Sequence, residues 1–176
     1  MTEDQRGSPE RIASAQRGNR EALAELVREH YAEVFRFIAR RVGTDLAEDA
    51  AQETFVTVQH QIKRLREPAK FRTWLLSIAH NHARNAARKA KRETPMDLWT
   101  AAPSAEGATL DREVLRSALQ ALSEEHRQVV VMHEIEGLRY AEIAEILGIP
   151  EGTVKSRLHH AFVQMRARLT GEGGTR

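Results

Sequence analysis

The sequence predicts an all-α chain, two small helical domains joined by a flexible linker. Three observations carry this. The 176 residues are rich in Ala, Arg, Glu and Leu and hold only 5% aromatics, which favours helices over sheets. Apolar residues recur at three- and four-residue spacing through most of the chain. Residues 93–110, ETPMDLWTAAPSAEGATL, break every periodicity with two prolines, a glycine and several Ser, Thr and Ala.

The elements follow in order. Ser8-Pro9-Glu10 has the form of a helix start: a capping hydroxyl, a proline at the first position, an acid in the first turn. A longer helix is predicted from after Asn19 to about Val42, with Leu23, Leu26, Val27, Tyr31, Val34, Ile38 and Val42 in step and Gly43 as terminator. Asp45 with Glu48 resembles a capping pair for the next helix, which carries Leu46, Ala50, Phe55, Val58, Ile62 and Leu65. Glu67-Pro68 interrupts, because the residue before proline avoids helical geometry. A further helix runs from about Phe71 to near Arg92, with Phe71, Trp74, Leu75, Ile78 and Ala79 inward. These elements make a first domain over 14–92. Trp99, within the linker, is either a docking group or a weakly packed exposed ring.

The second domain, 111–170, opens with Val114, Leu115, Ala118, Leu119 and Leu122 in helical step. Ser123 followed by Glu124 and Glu125 caps another helix, with Val129, Val130 and Met132 as its apolar body and Gly137 as its end. The last helix continues through Ala161, Phe162, Met165 and Leu169, and the tail GEGGTR is expected to be disordered.

Between them stands YAEIAEILGIPEGTVKSRL, residues 140–158. Its apolar positions are Ile143, Ala144, Leu147, Ile149, Val154 and Leu158. Gly148 falls where the chain must reverse, and Pro150 suits the first turn of a second helix. With Val154 and Leu158 inward, Thr153, Lys155, Ser156, Arg157, His159 and His160 face partly or wholly outward, a set able to donate to base edges and phosphates. The pattern is a helix-turn-helix with the second helix as reader.

Charge is unevenly spread. The net is +2, yet residues 62–92 hold ten basic residues and one acidic, and residues 155–176 five basic and one acidic. Two separated basic blocks indicate two nucleic-acid contact surfaces. Arg84, Arg88 and Lys91 share one helix face, where like charges repel unless a polyanion lies alongside. Glu48, Asp49, Gln52 and Glu53 form a compact acidic patch, being paired one turn apart.

Other classes are disfavoured. With no cysteine there is no disulfide or thiolate metal site. His133-Glu134 begins like a zinc-protease motif, but Gly137 stands where the second histidine must be. His80 and His82 diverge on a helix, and no glycine-rich phosphate loop is present. No catalytic residue, metal or cofactor is expected. No run is long enough to insert in a membrane and the polar N-terminus is not a signal peptide, so a cytoplasmic protein is expected.

DLAEDAAQETFVTV, FRTWLLSIAHNHARNAARKAKR and LSEEHRQVVVMHEIEGLRYAEIAEILGIPEGTVKSRLHHA together resemble a bacterial RNA polymerase sigma factor, of the extracytoplasmic-function (ECF) group of the sigma-70 family. The resemblance runs from about Glu21 to Leu169. It implies that Glu48, Asp49, Gln52 and Glu53 dock on core RNA polymerase, and that Asn81, Arg84, Arg88 and Lys91 meet the −10 element of promoter DNA as it melts. It implies −35 contacts from Lys155, Ser156, His159 and His160, with Arg157 and Thr153 on phosphate or in structural roles. An anti-sigma factor is a further expected partner. Two departures stand out: Ala50-Ala51 where bulkier apolar residues are common, and His159-His160 where aromatic and basic residues are frequent. A self-sufficient DNA-binding regulator is the competing reading; it differs in requiring tight duplex binding by the isolated chain.

Overall fold

A computed structural model describes residues 8–93 and 110–170, which are helical with short turns and divide into two compact units. The expected linker, apart from its end residues, lies outside the described residues, as do Trp99 and the GEGGTR tail.

The first unit holds α1 (Pro9–Gln16), α2 (Arg20–Val42), α3 (Thr44–Gln61) and α4 (Phe71–Glu93), with two 3₁₀ turns at Ile62–Arg64 and Pro68–Lys70. α2, α3 and α4 pack against one another in all three pairings, and α1 lies on α2. The Ser8 hydroxyl accepts from the Arg11 N–H at 3.3 Å, and the Asn19 side chain accepts from Glu21 and Ala22 N–H at 3.0 and 3.2 Å. Each satisfies helix-end donors that lack a partner within the helix. Ile12 seats α1 in the core, and Gln16 donates to the carbonyls of Ile62 and Leu65, tying α1 to the first 3₁₀ turn.

Gly43 ends α2 at φ +82° and α3 begins at the next residue. This corrects the expected Asp45–Glu48 capping pair. A one-residue connection starts the helix at Thr44 without a side-chain cap, so Asp45 falls inside the first turn and meets the helix dipole there. Ala47, Ala50, Ala51 and Thr54 are buried along α3, and these small side chains let α3 approach its neighbours closely. Ala50 and Ala51 thus belong to the core.

Polar groups inside this unit are arranged around α4. Glu33 accepts from the Arg72 guanidinium at 2.6 Å and meets His30 Nδ1 at 3.3 Å, while the His30 ring meets Phe71 edge-on. Burial pushes the Glu33 carboxyl up, but hydrogen bonding from His30 and the charge and hydrogen bond of Arg72 outweigh it and hold the group at about 2. His80 is buried, its Nδ1 without a hydrogen-bond partner among the described residues. Burial, then the positive charges of Arg41 and Arg84, push it down to about 3, so it is neutral at physiological pH.

The second unit holds α5 (Leu110–Gln120), α6 (Glu124–Val130), α7 (Tyr140–Leu147) and α8 (Glu151–Leu169). Ser123 caps α6, its hydroxyl accepting from His126 N–H at 3.3 Å. α6 runs on into a π-helical turn, Val131–Ile135, before Gly137 at φ +66°. Four consecutive side chains, Val129 to Met132, are buried there, so the segment is covered on all sides. α8 closes the core with Val154, Leu158, Ala161 and Met165.

Four residues expected in helical step are exposed: Val114, Leu115, Phe162 and Leu169. α5 packs on α8, Ala118 of α5 and Leu122 just beyond its end are buried, and α8 turns only one stripe inward. Periodicity placed these residues on helices but not on the covered side.

The acid stability of the first unit follows from His80 and Glu33. In the unfolded chain a histidine binds its proton near pH 6.5, while folded His80 does so near 3. Its contribution is therefore complete above pH 6.5 and is lost as pH falls towards 3, by about 2 kcal/mol between pH 6.5 and 5. Glu33 adds a second decline from pH 4.5 towards 2. Denaturant unfolding at pH 7 and pH 5 should show the first loss in the native chain, and His80→Gln should flatten it whatever its own stability. An unchanged slope in the variant would assign the loss to another group.

Candidate nucleic-acid interface

On α4, Asn81, Arg84, Arg88 and Lys91 are all exposed and stand three or four residues apart, so they share one face. Ile78, Ala79 and Ala83 are buried on the other side of the helix. Arg84, Arg88 and Lys91 form no ion pair with a described side chain. A row of uncompensated cations suits a phosphate backbone.

On α3, Glu48, Asp49, Gln52 and Glu53 are exposed above buried Ala47, Ala50, Ala51 and Thr54. Two features of this patch arise only in the fold. Val56, one turn beyond Gln52 and Glu53, is 55% exposed and gives the patch an apolar edge. Glu53 is also tied to α4, its Oε2 lying 3.1 Å from His82 Nδ1. The acidic patch and the basic face are therefore neighbours in one unit.

In the second unit the reversal is set by Gly148, at φ +65° and ψ +35°. The N–H of Ile149 closes back on the Ala144 carbonyl at 3.1 Å. Pro150 is extended and caps α8 instead of forming its first turn, its carbonyl accepting from Thr153 and Val154 N–H. Within α7 the anchors are Ile143 and Ile146, whereas Ala144 and Leu147 are half-buried. The pattern through Ala144 and Leu147 does not mark Ile146, which the packing against the rest of the unit covers instead.

The outward side of α8 presents Lys155, Ser156, His159 and His160. Lys155 pairs with Glu151 at 3.2 Å and lies 5.9 Å from the centre of the Tyr140 ring. His160 stacks with His126 of α6 at 6.2 Å, and His159 lies edge-on to it at 5.7 Å. Thr153 and Arg157 are half-buried. Arg157 reaches back to Glu125 at 2.8 Å, bracing α8 against α6. Ser156 donates to the Thr153 carbonyl in its own helix. No three His, Asp or Glu side chains among the described residues converge as a metal site.

The family described as "Sigma-70 region 2" matches residues 26–93, and "Sigma-70, region 4" matches residues 112–165. The sequence is 36% identical to RNA polymerase sigma factor CarQ of Myxococcus xanthus, over 88% of this chain and 92% of that one. It is 34% identical to ECF RNA polymerase sigma factor SigL of Mycobacterium tuberculosis, over 94% and 99%. Among solved structures, CnrH in complex with the cytosolic domain of CnrY is similar at a TM-score of 0.69 and 25% identity, covering 94% of this chain and 98% of that one.

The turn that aims α8 depends on a left-handed residue at 148. A Cβ there would meet nothing within 4 Å, so a substitution acts through backbone strain alone. Gly148→Ala is expected to cost about 1 kcal/mol, lowering the melting temperature of the second unit by about 4–8 °C, with Gly148→Asn costing less. An unchanged melt of Gly148→Ala by circular dichroism would show that the turn relaxes.

Proposed function

The chain belongs to the ECF RNA polymerase sigma factors, and from that membership we propose how its surfaces divide the work of starting transcription. As a transcription initiation factor it binds core RNA polymerase, directs it to promoters through their −35 and −10 elements, and helps melt the DNA. It acts as a non-catalytic subunit in the cytoplasm, where RNA polymerase works. No described helix is long and apolar enough to cross a membrane.

Residues 14–92, together with the start of α1 ahead of them, act as the core-binding and −10 domain, residues 111–170 as the −35 domain, and 93–110 as the linker between them. Glu48, Asp49, Gln52 and Glu53 meet core polymerase, with Val56 as an apolar contact beside them. Asn81, Arg84, Arg88 and Lys91 hold the DNA around the −10 element. Lys155, Ser156, His159 and His160 read the −35 element, Thr153 supports the start of the reader helix, and Arg157 fixes that helix on α6. The observation that carries this reading is the basic face of α4, whose exposed charges have no ion-pair partner among the described residues. An anti-sigma factor covering these surfaces is the regulatory partner. CnrH in its complex is a similar structure with a bound protein, and this supports that assignment.

Fluorescence anisotropy of the labelled chain with purified core RNA polymerase tests the reading. Tight saturable binding, competed by another sigma factor, is expected. Absence of binding by folded, monomeric protein, with tight duplex binding instead, would favour a self-sufficient regulator.

Base reading makes a separate demand on α8. Lys155→Ala or His160→Ala should reduce transcription by about 1–3 kcal/mol per good base contact. The loss should depend on the −35 sequence. Equal loss on promoters with unrelated −35 sequences would assign the side chain to phosphate.

A further inference from the structure

We propose that His82 is a positioning residue for core polymerase binding, acting by holding the Glu53 carboxylate ready on the surface of α3. This rests on the assignment of Glu53 to the polymerase interface and adds the group that orients it.

The geometry is a closed set of hydrogen bonds across the α3–α4 seam. His82 Nδ1 lies 3.1 Å from Glu53 Oε2, and His82 Nε2 lies 2.9 Å from Thr57 Oγ1. Thr57 Oγ1 in turn lies 2.9 Å from the backbone carbonyl of Glu53. Glu53 and Thr57 are one turn apart on α3, so a single ring engages two successive turns of the docking helix. The His82 side chain is only 20% exposed, whereas that of Glu53 is 67% exposed. The ring is packed and the carboxylate is presented.

Proton placement follows from the acceptors. A carboxylate only accepts, so Nδ1 carries a hydrogen and donates to Glu53. In the neutral ring Nε2 then accepts, and the single Thr57 hydroxyl hydrogen turns towards it. In the charged ring Nε2 donates to Thr57, and the hydroxyl hydrogen turns to the Glu53 carbonyl. Glu53 is held in either state, and only the hydroxyl rotor changes. A glutamate on an exposed helix otherwise samples many rotamers and loses them when it docks. Holding it beforehand removes part of that loss.

His82 also lies between Asn81 and Arg84 in sequence, on the helix that carries the basic face. One helix thereby presents promoter contacts outward and steadies a polymerase contact on its neighbour.

The test is the affinity of the full chain for purified core RNA polymerase in a double-mutant cycle. Glu53→Ala is expected to weaken binding. His82→Ala should weaken it by about three- to tenfold, the value of one side chain ordered in advance. The double variant should be no weaker than Glu53→Ala alone. His82→Asn keeps a donor near the Nδ1 position and should restore binding to within about twofold of the native chain, whereas His82→Gln, which reaches towards Thr57, should not. The two amides have similar polarity, so their difference stands even if His82→Ala is poorly folded, with helicity and melting temperature measured beside each. A weakened Glu53→Ala with unchanged His82→Ala, additive losses, or equal behaviour of the two amides would overturn the positioning role while leaving the interface intact. Unchanged binding by Glu53→Ala would overturn the interface assignment of Glu53 and the positioning role with it.

Discussion

Every face proposed to meet a partner is backed by an apolar stripe on the same helix, and the helical period fixes how the two are shared. On α4, Ile78, Ala79 and Ala83 are buried while Asn81, Arg84 and Arg88 are exposed. On α3, Ala47, Ala50, Ala51 and Thr54 are buried beneath Glu48, Asp49, Gln52 and Glu53. On α8, Val154, Leu158 and Ala161 are buried beneath Lys155, Ser156, His159 and His160. A residue that moves to the covered side leaves the working side, so the packing of each unit determines which side chains remain for a partner. With few aromatic residues available, the cores rely on many aliphatic and small side chains, and small ones bring the α3 backbone close to its neighbours.

Electrostatics add a second constraint. A basic face on α4 places positive potential over the interior of the first unit, and a buried histidine beneath it must remain neutral. His80 meets that condition through burial and the charges of Arg41 and Arg84. Glu33 provides the opposite case, a part-buried carboxylate kept ionised by His30 and Arg72. The two groups respond to acid in the same direction for different reasons, one because the fold excludes a proton-bound cation and the other because it requires an anion.

The proposed reader helix, α8, shows how a surface is prepared without being fixed. Arg157 is committed to Glu125, which braces α8 from the side facing α6. Lys155 is exposed, with Glu151 and the Tyr140 ring as local partners, which a base edge or phosphate would replace in the proposed −35 contact. Exposed ion pairs of this kind contribute little to stability, so giving one up in the proposed DNA contact would cost little. His126 extends the histidine pair of α8 on to a second element, a contact formed only when α6 and α8 pack.

The sequence by itself determined most of the points where helices begin and end. Ser8, Asn19 and Ser123 cap as their chemistry requires, Glu67 is extended before Pro68, and Gly43, Gly137 and Gly148 take positive φ where the chain turns. These outcomes depend on hydrogen bonds and sterics within a few residues, so local residue types suffice. The same locality made the basic face and the acidic patch legible, since each lies on one helix. The tertiary structure decided the rest. It left Val114, Leu115, Phe162 and Leu169 uncovered, chose Ile146 as an anchor, and moved the start of α3 to Thr44. It also brought His82 to Glu53 and Arg157 to Glu125, pairs separated by 29 and 32 positions in the chain. Helical periodicity states which residues share a face; which neighbour covers that face depends on the packing of whole helices, and no local pattern encodes it.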